Sequence, residues 1–253
     1  MTQKLPETPS LIIAARNFWN DRRSRHGFFT ATTDFVAAVW EFIRNSTPSR
    51  LRTRFGDAEY DWDHRVNTTS GAVGWRDRLL GILHSPYQPT EPALFREMIE
   101  MLQQNAGVDL SDLTFIDLGS GKGRTLLMAS DYPFRRIVGV ELLPTLHQIA
   151  QANLTHYKNS SQQCFELQTQ CADATAFAFP EEPLLLYLFN PFPESGLRKT
   201  IQNLESSLRS HPRAAYVLYH NPLLEHVLSE QTFLKKAAGT HQYSIFIAVR
   251  DQI

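Results

Sequence analysis

The hydrophobic pattern of the chain becomes regular near residue 90. From Thr90 onward, short β-rich runs alternate with segments whose apolar residues recur every three or four positions, as on one face of a helix. This alternation predicts βαβ units and an α/β fold with a doubly wound, parallel sheet. The predicted strands cover 113–119, 135–141, 164–170, 183–189, 214–220 and 242–249, and the predicted helices cover 94–102, 123–132, 144–156, 197–208 and 223–228.

The first 85 residues have a different character, and we treat 1–85 as an N-terminal helical and loop extension and 86–253 as the main domain. Apolar side chains recur at helical spacing over 36–43, which predicts an amphipathic helix that Thr33 caps. Residues 56–92 show no sustained period and indicate mostly loop. Residues 15–54 carry eight arginines and three acids. This surplus indicates either a solvated face or a surface for an acidic partner.

Composition excludes several classes of protein. The 253 residues include 25 Lys and Arg against 26 Asp and Glu, a balance that disfavours a partner bound by unspecific phosphate contacts, and so disfavours nucleic acid. Two cysteines cannot build a disulfide framework or a four-thiolate zinc site, and no metal is implied. The apolar run before Arg16 is too short for a signal-peptide core, and no later run approaches a membrane span. We therefore expect a cytoplasmic protein without membrane contact.

Candidate chemistry begins at residues 117–124, DLGSGKGR, where the first strand of the main domain turns into a helix. Open α/β sheets bind ligands at such a turn, and Gly119, Gly121 and Gly123 allow backbone to approach a ligand. A dinucleotide fingerprint needs G-x-G-x-x-G, whereas Arg124 stands where its third glycine would be. Asp117 suits a cationic or hydroxyl-bearing ligand better than a pyrophosphate. NAD is therefore the weaker interpretation.

Two more acids follow predicted strands. Glu141 ends the second strand 24 residues after Asp117, where a carboxylate can accept both ribose hydroxyl protons of an adenosine. Asp173 follows the third strand and is placed to accept from an adenine amino group. The alternatives are a solvated strand-end acid at Glu141 and an ordinary turn aspartate at Asp173.

The motifs DLGSGKGR, GVEL, the CAD acid and NPF resemble, in this order, class I S-adenosylmethionine-dependent methyltransferases over roughly residues 85–250. A closer likeness is to the non-SET histone-lysine methyltransferases and their bacterial relatives, which also carry a Y-x-x-T element, here Tyr87-Gln88-Pro89-Thr90. The resemblance implies a Rossmann-like sheet with helices on both faces and S-adenosylmethionine as cofactor. It implies a cofactor site of Tyr87, Thr90, Asp117, Gly119, Ser120, Gly121, Gly123, Glu141, Leu142, Asp173, Ala174 and Asn190. We expect the N-terminal extension to cap the substrate side.

The resemblance has limits. From the residues alone, Tyr87 and Thr90 are turn residues before a helix. The first 85 residues show no match to the substrate-binding region of the histone enzymes, and a substrate is not inherited with a fold.

The methyl acceptor is expected at Asn190-Pro191-Phe192, after the fourth strand. Several methyltransferases of amino or amide nitrogens carry [DN]-P-P-[YFW] here and the non-SET lysine enzymes carry N-N-F; this sequence is identical to neither. In the resembling enzymes the side-chain oxygen holds the acceptor nitrogen and the aromatic ring shapes the pocket, which implies catalytic roles for Asn190 and Phe192. Asn190 is equally a good turn residue before proline.

A lysine acceptor would arrive charged, because its ordinary pKa is about 10.4. An apolar slot lowers that pKa by desolvation, and Phe189, Phe192 and Tyr219 are candidates for its walls. His220 is the best-placed general base, or else a strand-end histidine satisfied by hydrogen bonds.

The sequence therefore predicts an S-adenosylmethionine-dependent methyltransferase that acts on an amino nitrogen, with a protein lysine favoured. The alternatives are methylation of a small molecule or nucleic acid, a non-catalytic module that binds an adenosine ligand, and an NAD-dependent oxidoreductase. The sequence does not identify the acceptor or an oligomeric state.

Overall fold

The computed structural model describes residues 11–45, 58–69 and 89–249. The helices are α1 (Leu11–Asn45), α2 (Ala58–His64), α3 (Pro92–Ala106), α4 (Arg124–Ala129), α5 (Pro144–His156), α6 (Glu194–Ser210) and α7 (Glu225–Ser229). The strands are β1 (Thr114–Leu118), β2 (Arg136–Glu141), β3 (Leu167–Cys171), β4 (Leu184–Phe189), β5 (Ala215–His220), β6 (Leu234–Gly239) and β7 (Tyr243–Ala248).

The seven strands form one sheet in the order β3-β2-β1-β4-β5-β7-β6. Strands β1 to β5 are parallel, and β7 pairs antiparallel with both β5 and β6. The strand order reverses between β1 and β4, and ligands of open α/β sheets bind outside the carboxyl ends of the strands at such a point. The predicted Rossmann-like sheet with helices on both faces is confirmed.

Each face of the sheet is covered by its own hydrophobic core. The predicted apolar stripe of α3 is buried with α4 against one face. Helices α6 and α7 bury theirs against the other face. Strand β4 lies between the two cores, and Leu184 to Leu188 are inaccessible to solvent. This double burial explains why its sequence is continuously apolar.

The structure corrects three element predictions. Helix α1 begins at Leu11 and bends at Gly27 (φ 84°), and the hydroxyl of Thr33 donates to the carbonyl of Thr30 inside the helix instead of capping it. The last two strands are antiparallel to their neighbours. Strand β6 was not predicted, because as an edge strand it exposes Lys235 and Lys236 and lacks an apolar alternation.

Two general features bear on the site. No helix in the described ranges is both long and apolar enough to cross a bilayer. Among the same residues, no group of three or more His, Cys, Asp or Glu side chains is arranged to hold a metal ion. Tyr87 lies outside the described residues, as do the side chains of Val39, Trp40 and Ile43. The division of the chain at residue 85 and the substrate-side cap stay predictions.

Candidate functional site

The glycine loop between β1 and α4 has backbone geometry that side chains resist. Gly119, Gly121 and Gly123 all have positive φ, at 86°, 55° and 83°. A Cβ atom on Gly119 would lie 2.7 Å from Cβ of Pro191. The loop therefore packs directly against the turn after β4. This close approach joins the predicted cofactor loop to the predicted acceptor segment.

Glu141 ties this loop to the next strand end. Its Oε2 accepts from the backbone N–H of Gly121 and its Oε1 from that of Leu143, both at 2.8 Å, and the side chain is buried. A pyrophosphate would compete with this carboxylate for the N–H group of Gly121 in the loop, and the two negative charges would repel each other. The geometry therefore disfavours NAD.

Asp117 is the second buried carboxyl of the site. Burial, and after it the negative charge of Glu141, raise the pKa of Asp117 to about 8, although a hydrogen bond with Thr125 opposes the shift. At neutral pH the side chain thus carries a proton unless a cation faces it. A cationic ligand group would restore the carboxylate.

Three other predicted cofactor residues lie along the same edge of the sheet. The Ser120 hydroxyl is buried and has no hydrogen-bond partner within the described part of the chain, an open donor and acceptor beside the loop. The carbonyl of Leu142 lies 4.0 Å from Sγ of Cys171. Asp173 is exposed, and its Oδ1 accepts from the N–H of Thr175 at 2.8 Å. It thereby caps the short 3₁₀ turn Ala174–Ala176, which contains the buried Ala174.

Asn190 holds a backbone conformation that is rare outside glycine. Its φ is 45°, although a proline follows it, and its Oδ1 accepts from the hydroxyl of Tyr219 at 3.1 Å. Phe192 packs on the core beneath α6, where a Cβ on Gly196 would lie 3.2 Å from Cβ of Phe192. Strained backbone conformations of this kind are more frequent at functional sites, where the surrounding structure must hold them in place.

His220 belongs to a buried hydrogen-bond chain on the other face of the sheet. Its Nδ1 lies 2.8 Å from the hydroxyl of Tyr187, which lies 2.9 Å from the hydroxyl of Thr90. The ring also stacks on Phe189 with centroids 3.8 Å apart. Burial lowers the pKa of His220 to about 4. Sequence reasoning selected Thr90 and His220 but missed Tyr187, which a continuously apolar strand conceals.

Asn190 and His220, the two polar residues predicted to act on the methyl acceptor, are thus held on different faces of the sheet. Tyr219 and His220 are consecutive in β5, so their side chains point to opposite faces of the sheet. Asn190 is bound from the α6 face and His220 from the α3 face. The structure brings Asp117, Glu141 and the glycine loop together at the carboxyl edge, next to the Asn190 turn.

Residues 58–69, which we call the latch segment, also hold the glycine loop, through contacts with Lys122 and Arg124. Nζ of Lys122 donates to Oδ1 of Asn67 at 3.1 Å, and Nε of Arg124 donates to the Thr68 hydroxyl at 2.7 Å. An Arg124 nitrogen also lies 3.4 Å from Oδ1 of Asp61. Both cations are almost fully buried, and burial lowers the pKa of Lys122 to about 8. The sequence marked Arg124 only as a departure from a dinucleotide fingerprint and gave Lys122 no role.

Asn153 of α5 completes the latch. Its Nδ2 donates to the carbonyls of Asn67 and Lys122, both at 2.9 Å, and its Oδ1 accepts from the N–H of Asn67 at 2.8 Å. One amide side chain therefore joins the latch segment, the glycine loop and α5.

Helix α1 lies beside the same edge of the sheet. Its Ala15, Phe18 and Phe35 pack against the same hydrophobic cluster as Leu143, two residues after Glu141.

No protein-family model and no curated protein sequence matches this chain. Solved structures do resemble it. A magnesium protoporphyrin IX methyltransferase from Synechocystis PCC 6803 with bound S-adenosylmethionine is 14% identical at a TM-score of 0.44, with 80% of this chain and 96% of that chain covered. A ribosomal protein L11 methylase from Lactobacillus delbrueckii subsp. bulgaricus is 14% identical at 0.42, with 62% and 79% covered. An RNA methyltransferase from Salinibacter ruber in complex with S-adenosylhomocysteine is 19% identical at 0.41, with 64% and 94% covered. These similarities are of fold alone.

Proposed function

We propose that this protein is an S-adenosylmethionine-dependent methyltransferase that acts on an amino nitrogen, with a protein lysine as the favoured acceptor. The observation that carries the proposal is the pair of buried carboxyls, Asp117 and Glu141, on either side of the glycine loop. A ligand that carries both an ammonium group and ribose hydroxyls matches this pair, and a pyrophosphate does not.

The residues present fit this cofactor. Glu141 would accept from the ribose hydroxyls alongside its two backbone hydrogen bonds, and Asp117 would face the ammonium group. The unpartnered Ser120 hydroxyl offers one more polar contact, and the exposed Asp173 would accept from the adenine amino group. When bound, the cofactor supplies an electrophilic methyl group on a sulfonium.

Asn190 would position the acceptor. Its Oδ1 receives one hydrogen bond from Tyr219, so a second lone pair is left for an amine N–H. Transfer needs the nitrogen lone pair to point in line at the methyl group, and such positioning supplies much of an enzyme's acceleration. A charged lysine must first lose a proton, and the half-buried rings of Phe189 and Phe192 would favour its neutral form by desolvation.

Calorimetry with S-adenosylmethionine, S-adenosylhomocysteine and NAD tests the cofactor. We expect the first two to bind, and Glu141→Ala to weaken binding by about 1.5–3 kcal/mol, the scale of lost charge-assisted hydrogen bonds. Glu166→Ala, which removes an exposed carboxylate next to β3, is the control and should bind normally. Binding of NAD without any response to S-adenosylmethionine would refute the assignment.

The acceptor class is tested by incubating the protein with a radiolabelled methyl donor and a cell lysate. We expect label in protein, recovered as methylated lysine after hydrolysis. Label in nucleic acid or small molecules would replace the lysine acceptor with that class. Cofactor binding without any transfer of label would support a non-catalytic binding module instead.

Asn190→Ala tests the acceptor position once a substrate is found. Turnover should fall by roughly 10²–10³, the scale for one positioned polar group, while cofactor affinity changes little. Asn221→Ala is a matched control, because Asn221 also follows a strand, precedes a proline and has positive φ (50°). Equal losses in both variants would assign the effect to backbone strain rather than to the Asn190 amide.

A further inference from the structure

We propose that Tyr187 and Thr90 are positioning residues that hold His220 as its neutral Nε2–H tautomer, so that this histidine donates a hydrogen bond at the site and does not act as a base. The tautomer follows from the local geometry. Its part in methyl transfer rests on the proposed function.

The direction of the hydrogen-bond chain decides the tautomer. If Thr90 donates to Tyr187 and Tyr187 donates to Nδ1 of His220, both hydroxyl hydrogens have acceptors, at 2.9 and 2.8 Å. In the reverse direction, Nδ1 of His220 donates to Tyr187 and Tyr187 donates to Thr90, which becomes the last acceptor of the chain. Its own hydroxyl hydrogen would then be buried with no acceptor among the described residues, since Thr90 is 1% exposed. Buried hydroxyl groups in folded proteins are rarely left in that state.

The acidities of the groups favour the same direction. A phenol, with a pKa of about 10, gives its hydrogen bond readily to a neutral imidazole nitrogen. Nδ1 of His220 is therefore an acceptor, and the ring proton lies on Nε2. His220 is only 7% exposed, and Phe189 covers one face of its imidazole ring.

The ionisable groups around this chain keep the ring neutral. Tyr243 of β7 lies opposite His220, and its hydroxyl donates to Oε1 of Glu97 in α3 at 3.0 Å. Asp117 lies opposite Tyr187 in β1 and is itself protonated in the neutral range. Burial lowers the pKa of His220 to about 4. No carboxylate among the described residues makes an ion pair with this ring, so nothing opposes the effect of burial.

A specificity rule follows from the tautomer. An Nε2–H group can only donate, so the ligand atom that meets His220 must be an acceptor, such as a carboxylate or carbonyl oxygen. The proton of an incoming ammonium group must leave by another route.

Nitrogen-15 NMR of the histidine-labelled protein tests the tautomer directly, with His220→Gln used to assign the signals. We expect lone-pair character at Nδ1 and a proton at Nε2 from pH 5 to 8. In Tyr187→Phe the single tautomer should give way to a mixture, whereas Tyr219→Phe, which removes the neighbouring hydroxyl on the opposite face, should leave the His220 signals unchanged. A wild-type Nδ1–H signal, or a ring that is charged at pH 6, overturns the proposal even where the Tyr187 variant does not fold.

The catalytic part has its own readout. His220→Ala should lower turnover roughly tenfold, the scale of one hydrogen bond, and His220→Gln should recover most of it because glutamine keeps an N–H donor. A base would instead be lost in both variants and would make turnover fall as the pH drops toward the pKa of His220, about 4. Since NMR reads the tautomer without a substrate, failure of the methyltransferase assignment and failure of the tautomer are separate results.

Discussion

Asp117 is a buried carboxyl that, in the proposed function, would serve cofactor binding at the expense of stability. Burial and the charge of Glu141 raise its pKa to about 8, far above the ordinary value of 3.8. Because the folded-state pKa exceeds the unfolded one, the folded chain loses stability relative to the unfolded chain as the pH rises from about 4 to 8. A bound cation would offset that loss.

The affinity for S-adenosylmethionine should therefore depend on pH. Below pH 8 the cation must displace the proton of Asp117, so affinity should fall as the pH drops from 8 to 6, by up to about tenfold per pH unit. Calorimetry in buffers of different ionisation enthalpy would detect the released proton. Asp117→Asn should bind weakly, without this dependence, and should melt at a higher temperature than the wild type when no ligand is present. An affinity that is constant from pH 6 to 8 would contradict the argument.

At the scale of elements, the glycine loop depends on contacts on both of its sides. Glu141 binds the backbone of the loop at Gly121, and Asn153, together with the latch segment, binds it at Lys122. A loop with three glycines at positive φ is not expected to keep its conformation without such contacts, because glycine has many other accessible backbone conformations. We infer that the latch keeps the loop ready for its ligand.

Asn153→Ala should weaken both the fold and the site. It leaves three backbone groups of the latch and loop without their partner, at a cost of about 1–3 kcal/mol of unfolding free energy, and it should also lower cofactor affinity. Asn203→Ala is the matched control, because Asn203 also donates from a helix to a backbone carbonyl, that of Phe177, far from the loop. It should lower stability in urea titrations but leave affinity intact. Wild-type affinity in Asn153→Ala would show that the loop does not need the latch.

Elements of this kind differ in how far sequence predicts them. Asp117 and Glu141 could be selected as candidates because each lies at or near the end of a strand that is visible locally in the sequence. The partners of Lys122 and Arg124 lie more than fifty residues earlier in the chain. That segment shows no periodicity, so no local sequence pattern predicts these contacts. Tyr187 was hidden for a related reason: its one polar atom stands in a strand that is otherwise apolar. Strand β6 was missed because its edge position permits lysines.

At the scale of the whole molecule, ligand binding should slow hydrogen exchange beyond the carboxyl edge of the sheet. Hydrogen exchange with and without S-adenosylhomocysteine should show slower exchange in the glycine loop, around Leu143 and in the latch segment, since these regions share hydrogen bonds or packing with Glu141 and Lys122. The edge strand β6, which touches none of them, provides the internal control and should exchange at an unchanged rate. Protection confined to residues 117–141 would show that the latch does not sense the ligand.

The buried cations of the glycine loop also limit how the chain can change during evolution. Extensions that only rest on a catalytic domain can be lost, exchanged or fused elsewhere as independent modules. Here Lys122 and Arg124 would be left in a cleft without Asp61, Asn67 and Thr68 if the chain began at residue 86. A recombination event that replaced the extension would have to carry those residues with it, or change both cations at the same time. The two regions are therefore expected to have been inherited as one unit.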